Sequence, residues 1–374
     1  MKVLIAIDSF KGSISSSDAC LAAARGFTRA GITDITSLPS SDGGEGFCVC
    51  MRSLFGGEVL HDTVAAPCGG QTDAGYVFDF ASETAYVELA CASGLTLVPE
   101  GKRDIMSAST LGTGELIKAA AAAGAKRIVI GLGGSATNDC GMGLLHALGV
   151  RFYGADGNVL VPCARSMPLV VRADKTALRG YEGISFTAAC DVTNPLCGEN
   201  GAARVFARQK GASEREISLL DEYAASFAHA VGIDPLSAGA GAAGGTGGAL
   251  ISVLGAEFVS GASLLTGAER FRKALSGASL VLTGEGNTDG QTASGKLVCA
   301  VADAAKGAGV PCVAISGGLS SGCELLYSHG VTAMFSLCSR PASLEYCMEN
   351  AGLLMESAAY NVARLVSASA GEKQ

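Results

Sequence analysis

Six short apolar runs, followed by glycine-rich or polar loops and then helical stretches, constrain this chain more than any other feature. They are Lys2–Ile7, Ile35–Leu38, Arg127–Leu132, Leu280–Thr283, Cys312–Ser316 and Thr332–Leu337. Such runs suit strands buried on both faces, and their alternation with helices predicts βαβ units around a parallel sheet. The first helix shows the pattern. Ser15, Ser16 or Ser17 can cap it, Ala19, Leu21, Ala22, Ala23 and Phe27 give it an apolar face, and Gly31 can end it in a left-handed conformation. Leu116–Ala125 reads as another helix on the strength of its alanine run.

A chain of 374 residues, 48% of them hydrophobic, exceeds one domain of ordinary size and divides into about two. Two regions break the rhythm. Thr63–Pro99 alternates through Tyr76–Phe80 and Thr84–Leu89 like a short antiparallel meander, and Phe152–Ala189 is punctuated by glycine and proline. The expected fold is therefore α/β, with a parallel-sheet domain (1–62, 112–150 and 255–374) interrupted by a second, smaller α/β domain (63–111 and 151–254). The stretch Gly239–Gly248 fits either a domain joint or a ligand loop.

Composition removes several functions. Net charge is −8 with no dense Lys/Arg cluster, so there is no electrostatic footprint for nucleic acid or an anionic membrane. No run approaches the ~18 apolar residues of a membrane span. The opening apolar run stops at Asp8 and reads as a strand, not a signal peptide, which makes a cytoplasmic enzyme the expectation. The fourteen cysteines are scattered, without metal-finger spacing, and the four histidines lie far apart. Most of the cysteines are expected to be reduced core residues.

Chemistry is expected at the loops. In a parallel sheet the carboxyl ends of the strands share one edge, where ligands bind. The loops after the expected strands carry Asp8, Ser9 and Lys11, then Ser41, Asp42 and Glu45, then Ser135, Asn138 and Asp139, then Glu285 and Asp289. Carboxylates set among glycines suit a bound cation that carries phosphate, with Mg²⁺ the simplest choice and Asp42 and Asp139 its expected ligands. Phosphoryl transfer also needs a cation such as Lys11 and a carboxylate base. Asp191, at the end of an apolar run, fits the base; a turn-forming Asp before Asn194-Pro195 fits the spacing equally. Gly290–Lys296 has the glycine and lysine spacing of a P-loop but lacks its hydroxyl, since Leu297 follows Lys296. A helix starting near Lys296 can still offer its N-terminus to phosphate. Gly131–Gly134 lacks the spacing of a dinucleotide loop, and Ser135 and Thr137 can also serve as helix caps.

With these residues in view, the chain resembles bacterial glycerate kinases of the first type, nearly end to end. The resemblance rests on Asp8–Ser13, Ser41–Gly46, Gly112–Glu115, Gly133–Asp139, Cys190–Pro195, Gln209–Ala212, Gly239–Gly245 and Thr283–Gly286, in that order. It implies a flavodoxin-like domain interrupted by a second α/β domain, and ATP-dependent phosphorylation of glycerate in the cleft, most often to 2-phosphoglycerate. Lys11, Asp42, Asn138, Asp191 and Asp289 fall in family motifs; Asn194 lies in the Asp191 motif. The expected cofactors are ATP and Mg²⁺, the state monomer or homodimer. One departure is visible: Asn287 and Thr288 stand where the family usually has an arginine and an aliphatic residue, with Arg204 or Arg208 as possible substitutes for the lost guanidinium. Competing functions are a nicotinamide-dependent oxidoreductase of hydroxy acids and a non-catalytic metabolite sensor.

Overall fold

The computed structural model describes residues 1–371. Along the chain, β1 (Lys2–Ile7) and β2 (Asp34–Ser37) precede β3 (Glu58–Ala65), β4 (Gln71–Asp79), β5 (Thr84–Glu88) and β6 (Arg127–Gly131). The short strands β7 (Arg151–Tyr153) and β8 (Arg172–Asp174) lead to β9 (Ser185–Ala189) and β10 (Glu257–Val259). Then come β11 (Leu280–Gly284), β12 (Asn287–Thr288), β13 (Cys312–Ser316), β14 (Gly318–Leu319) and β15 (Val331–Ser336). All six apolar runs form strands, each within one residue of its expected ends.

The chain folds as two compact units. One comprises 1–42, 49–55 and 261–374, the other 43–48 and 56–260. The first holds an all-parallel sheet in the order β15-β13-β11-β1-β2. Counted within this sheet the order is 2-1-3-4-5, that of flavodoxin-like doubly wound proteins, whose ligands bind where the winding reverses between the first and third strands. Here that point lies between β1 and β11. Val3, Ile5, Ile7, Leu282 and Ile315 form the core with Phe27 and Met355. The helix Ser16–Arg29, capped by Ser15 through the Asp18 N–H, lies against the C-terminal helix Ala351–Gly371. Arg25 and Arg29 both reach Glu356.

The second unit holds a six-stranded sheet, β10-β9-β6-β5-β4-β3. Its β3-β4-β5 part is the expected antiparallel meander, while β5, β6, β9 and β10 run parallel. Here the expected boundaries need correction. β6 lies between β5 and β9, so 112–150 belongs with the segments on either side of it and the second unit is the larger, not the smaller. The cause is non-local: Arg127–Gly131 is as apolar as any strand of the first sheet, and no local pattern tells which sheet it joins. The helix expected over Leu116–Ala125 runs Leu111–Ala122. No described helix is long and apolar enough to cross a membrane. The fourteen cysteines are free thiols, seven of them buried.

Candidate functional site

In the first unit the switch point gathers carboxylates. Asp8 directly follows β1, and its N–H donates to the Gly284 carbonyl at the end of β11, 2.9 Å away. Its own Oδ1 accepts from the Ser9 N–H at 2.7 Å. Burial pushes the Asp8 carboxyl up to about 7, the Asp42 and Glu285 charges push the same way, and the Ser9 bond and Lys11 charge oppose them. Lys11, exposed, meets Asp42 Oδ2 at 2.8 Å. Next to them Ser41 is buried, 4% exposed.

The loop after β11 is organised around Glu285. Its Oε1 accepts from the Thr292 hydroxyl at 2.7 Å and the Thr288 hydroxyl at 3.1 Å. Burial raises its carboxyl above the usual range; those two hydroxyls and Lys296 pull it back. Asp289 accepts from the Gln291 N–H at 2.8 Å and from the Asn287 amide at 3.3 Å. Asn287 and Thr288, where the sequence departs from the family it resembles, thus have local work. They form β12 beside β14, and the buried Thr288 hydroxyl also lies 2.7 Å from Ser316 Oγ. Lys296 is the N-cap of the helix Leu297–Gly307 and makes no side-chain cap bond. The proposed substitutes for the missing guanidinium, Arg204 and Arg208, pair with Asp221 and Glu214.

In the second unit the two glycine-framed segments meet backbone to backbone. The Gly133 N–H donates to the Gly43 carbonyl at 2.8 Å, and a Cβ on Gly133 would lie 2.2 Å from Gly44 Cα. Only glycine allows that approach. Close packing therefore accounts for the Gly131–Gly134 run. Glu45 is exposed at the tip, beside Gly134. Beneath it the buried Glu88, at the end of β5, accepts from the N–H groups of Gly46 at 3.0 Å and Cys48 at 3.1 Å.

The loop after β6 is held by buried polar groups. Asp139 is fully buried, and Oδ2 accepts from the Thr110 N–H at 2.8 Å, the Thr110 hydroxyl at 2.9 Å and the Gly143 N–H at 3.0 Å. Oδ1 accepts from the Gly141 N–H at 3.2 Å. Burial raises this carboxyl, and those bonds oppose the rise. Lys210, 3% exposed, donates to Ser135 Oγ and to the Thr137 carbonyl, both at 2.7 Å. Burial pushes its ammonium down to about 7 against the pull of Asp139. Ser135 and Thr137 do not cap the next helix, which starts at Met142 with Gly141 as its cap. Asn138 is fully buried, and neither its Oδ1 nor its Nδ2 has a partner among the described residues.

Asp191 lies two residues beyond β9, the strand beside β6, and is half-buried. In the same turn the Asn194 amide donates to the Asn200 carbonyl at 2.8 Å, and its carbonyl accepts from the Gly241 N–H at 3.0 Å. The Gly244 carbonyl in turn accepts from the Cys140 N–H at 3.0 Å. The glycine-rich stretch is thereby clasped to both loops. Each unit collects its own share of the expected residues: Asp8, Ser9, Lys11, Ser41, Asp42, Glu285, Asp289 and Lys296 in the first, Glu45, Ser135, Asn138, Asp139, Asp191 and Asn194 in the second. Sequence reasoning missed Glu88 and Lys210. Glu88 ends an alternating strand like any polar residue, and only its place in the Gln209–Ala212 motif marked Lys210.

Comparison with known proteins bears on what such loops do. A family model described as the glycerate kinase family matches residues 3–367. A curated glycerate kinase from Bacillus cereus is 39% identical over 371 residues, covering 97% of each chain. A glycerate 2-kinase from Escherichia coli is 39% identical over 358 residues, covering 94% of each. The crystal structure assigned to glycerate kinase 2 of Salmonella typhimurium LT2 aligns over the whole of both chains with TM-score 0.82 and 37% identity.

Proposed function

We propose, from the premise that this chain belongs to the glycerate kinase family, that it phosphorylates D-glycerate with ATP, giving 2-phosphoglycerate. The observation that carries the reading is the placement of Asp8 at the switch point of the sheet, its N–H bonded to the Gly284 carbonyl at the end of β11 at 2.9 Å, with the Asp42 and Glu285 charges acting on its carboxyl. Mutually repelling, half-buried carboxylates are hard oxygen donors suited to a divalent cation. Asp42, with help from Asp8, would hold Mg²⁺. When bound, the ion neutralises charge on the nucleotide phosphates. Asp139 was the other expected ligand, but four protein donors already engage its oxygens. We assign it to holding the loop instead.

The remaining roles belong to the chain's own groups. Asp191 takes the proton of the acceptor hydroxyl while that oxygen bonds to the γ-phosphorus and the bond to ADP breaks. Lys11 offsets charge on the transferred phosphoryl group. The N-terminus of Leu297–Gly307, with Lys296 at its cap, suits a nucleotide phosphate. Asn138, whose buried amide lacks partners, suits the carboxylate or hydroxyl of the acid, since unpaired buried amides are costly unless a ligand satisfies them.

Two measurements test this. Coupled ADP release should require D-glycerate and Mg²⁺, and phosphorus NMR should show 2-phosphoglycerate; 3-phosphoglycerate would overturn the regiochemistry alone. Asp191→Asn should lower turnover by ~10²–10⁴ while the unfolding free energy stays within ~0.5 kcal/mol. Near-normal turnover in that variant would remove Asp191 as the base.

A further inference from the structure

We infer that Cys299, Asp303 and His329 form a binding site for a thiophilic divalent cation of the Zn²⁺ type, separate from the Mg²⁺ of phosphoryl transfer. One ligand atom from each lies within 4.8 Å of the other two. Cys299 Sγ is 3.6 Å from Asp303 Oδ2, and His329 Nδ1 is 3.1 Å from both Asp303 oxygens. Tetrahedral zinc with bonds of ~2.3 Å to sulfur and ~2.0 Å to nitrogen or oxygen separates its ligand atoms by about 3.3 to 3.6 Å. The two edges at 3.1 and 3.6 Å bracket that spacing, and the third, from Cys299 Sγ to His329 Nδ1, is within 4.8 Å.

The ligands sit on a prearranged frame. Cys299 and Asp303 are four residues apart on the helix Leu297–Gly307 and so share a face. His329 comes from the turn before β15, and two contacts hold that turn to the helix. Lys306 Nζ donates to the Ser328 carbonyl at 2.7 Å. Gly330, with φ of +103°, comes so near that a Cβ there would lie 2.6 Å from Lys306 Cβ and 3.0 Å from the Ala302 carbonyl. Ligands fixed by their supports lose little entropy on binding.

The donor set chooses the metal. Sulfur and imidazole beside one carboxylate favour Zn²⁺ or Co²⁺ over Mg²⁺ or Ca²⁺, which prefer all-oxygen shells. Cys299 is 2% exposed, which gives the sulfur a dry side, while the Asp303 and His329 side chains are 52% and 32% exposed. Solvent can thus deliver the ion and complete a four-coordinate shell. Coordination converts the thiol to thiolate and releases its proton to water. It also draws Sγ from the Ala293 carbonyl, 3.6 Å away in the loop that carries Asp289 and Thr292.

Co²⁺ is the probe, added to the metal-stripped full-length protein with saturating Mg²⁺ present. One Co²⁺ per chain should bind and give a sulfur-to-cobalt charge-transfer band in the near ultraviolet. Cys299→Ser should abolish the band, and His329→Gln should weaken Co²⁺ binding at least tenfold. Cys347→Ser should leave both unchanged, a needed control because Cys338 and Cys347 place their sulfurs 3.4 Å apart. Absence of the band, its survival in Cys299→Ser, its displacement by Mg²⁺, or undiminished affinity in His329→Gln would each overturn the site. The readout is independent of kinase activity, so failure here leaves the proposed reaction untouched.

Discussion

The two acidic loop clusters use the same residue types in opposite ways. At the switch point of the five-stranded sheet, Asp8 and Asp42 are half-buried, face one another's charge and have an exposed lysine nearby. After β6, Asp139 and Lys210 are buried outright and surrounded by protein donors and acceptors. Charge that solvent can reach suits a ligand; charge that is sealed from solvent and engaged by protein donors fixes a backbone. Residue identity alone does not separate these roles, and burial does.

The largest expected effect breaks the comparison directly. Asp139→Ala removes the acceptor for four donors and the counter-charge of Lys210. Breaking such a buried network costs about 3–5 kcal/mol, which urea unfolding would register. Asp42→Ala removes the ion pair with the exposed Lys11, and a pair screened by solvent in this way accounts for less than about 1 kcal/mol of stability. Its turnover should nevertheless fall by ~10² or more, the cost of losing a preorganised charge at a reacting phosphate. If both variants lost stability equally, the distinction between scaffold and ligand carboxylates would collapse.

Lys210 sharpens the same contrast through pH. Its folded pKa of about 7 lies below the ordinary 10.5, so between these values the unfolded chain binds the extra proton. Stability therefore rises with pH across that window, by at most about 1.4 kcal/mol per unit from this group. Lys210→Met abolishes that slope while leaving Ser135 Oγ and the Thr137 carbonyl without their donor. Parallel pH–stability curves for wild type and variant would mean that Lys210 is charged throughout.

The sequence carries the strands far better than the allocation of partners. Lys2–Ile7 and Cys312–Ser316 are legible to the residue because a strand buried on both faces is apolar throughout. Arg127–Gly131 is equally legible as a strand, yet its sheet is set by pairing with β5 and β9, which no local pattern encodes. The acidic loop residues stand out among glycines. Lys210 does not, since its acceptors are 75 and 73 positions away. Glu88 likewise answers to turn N–H groups some forty residues earlier. Gly133 shows the converse. Its glycine resembles a ligand cradle in sequence and proves to be needed where Gly44 crosses it.

At Asp8 the expected pH dependence has the sign opposite to that of Lys210. The folded carboxyl stands near 7 against an ordinary 3.8, so between these values the folded protein holds the extra proton. Stability from this group falls as pH rises from about 4 to 7 and is level above that. Asp8 is partly buried, and the loss from this group is at most about 1.4 kcal/mol per pH unit within that window. Asp42→Asn removes the neighbouring charge that helps raise Asp8, so its curve should fall less steeply over the same window. Saturating Mg²⁺ should flatten the wild-type curve in the same way, because a bound cation favours the ionised carboxylate. A slope that ignores both Asp42→Asn and Mg²⁺ would show that burial alone sets the Asp8 proton, and the case for a cation at the switch point would lose its main support.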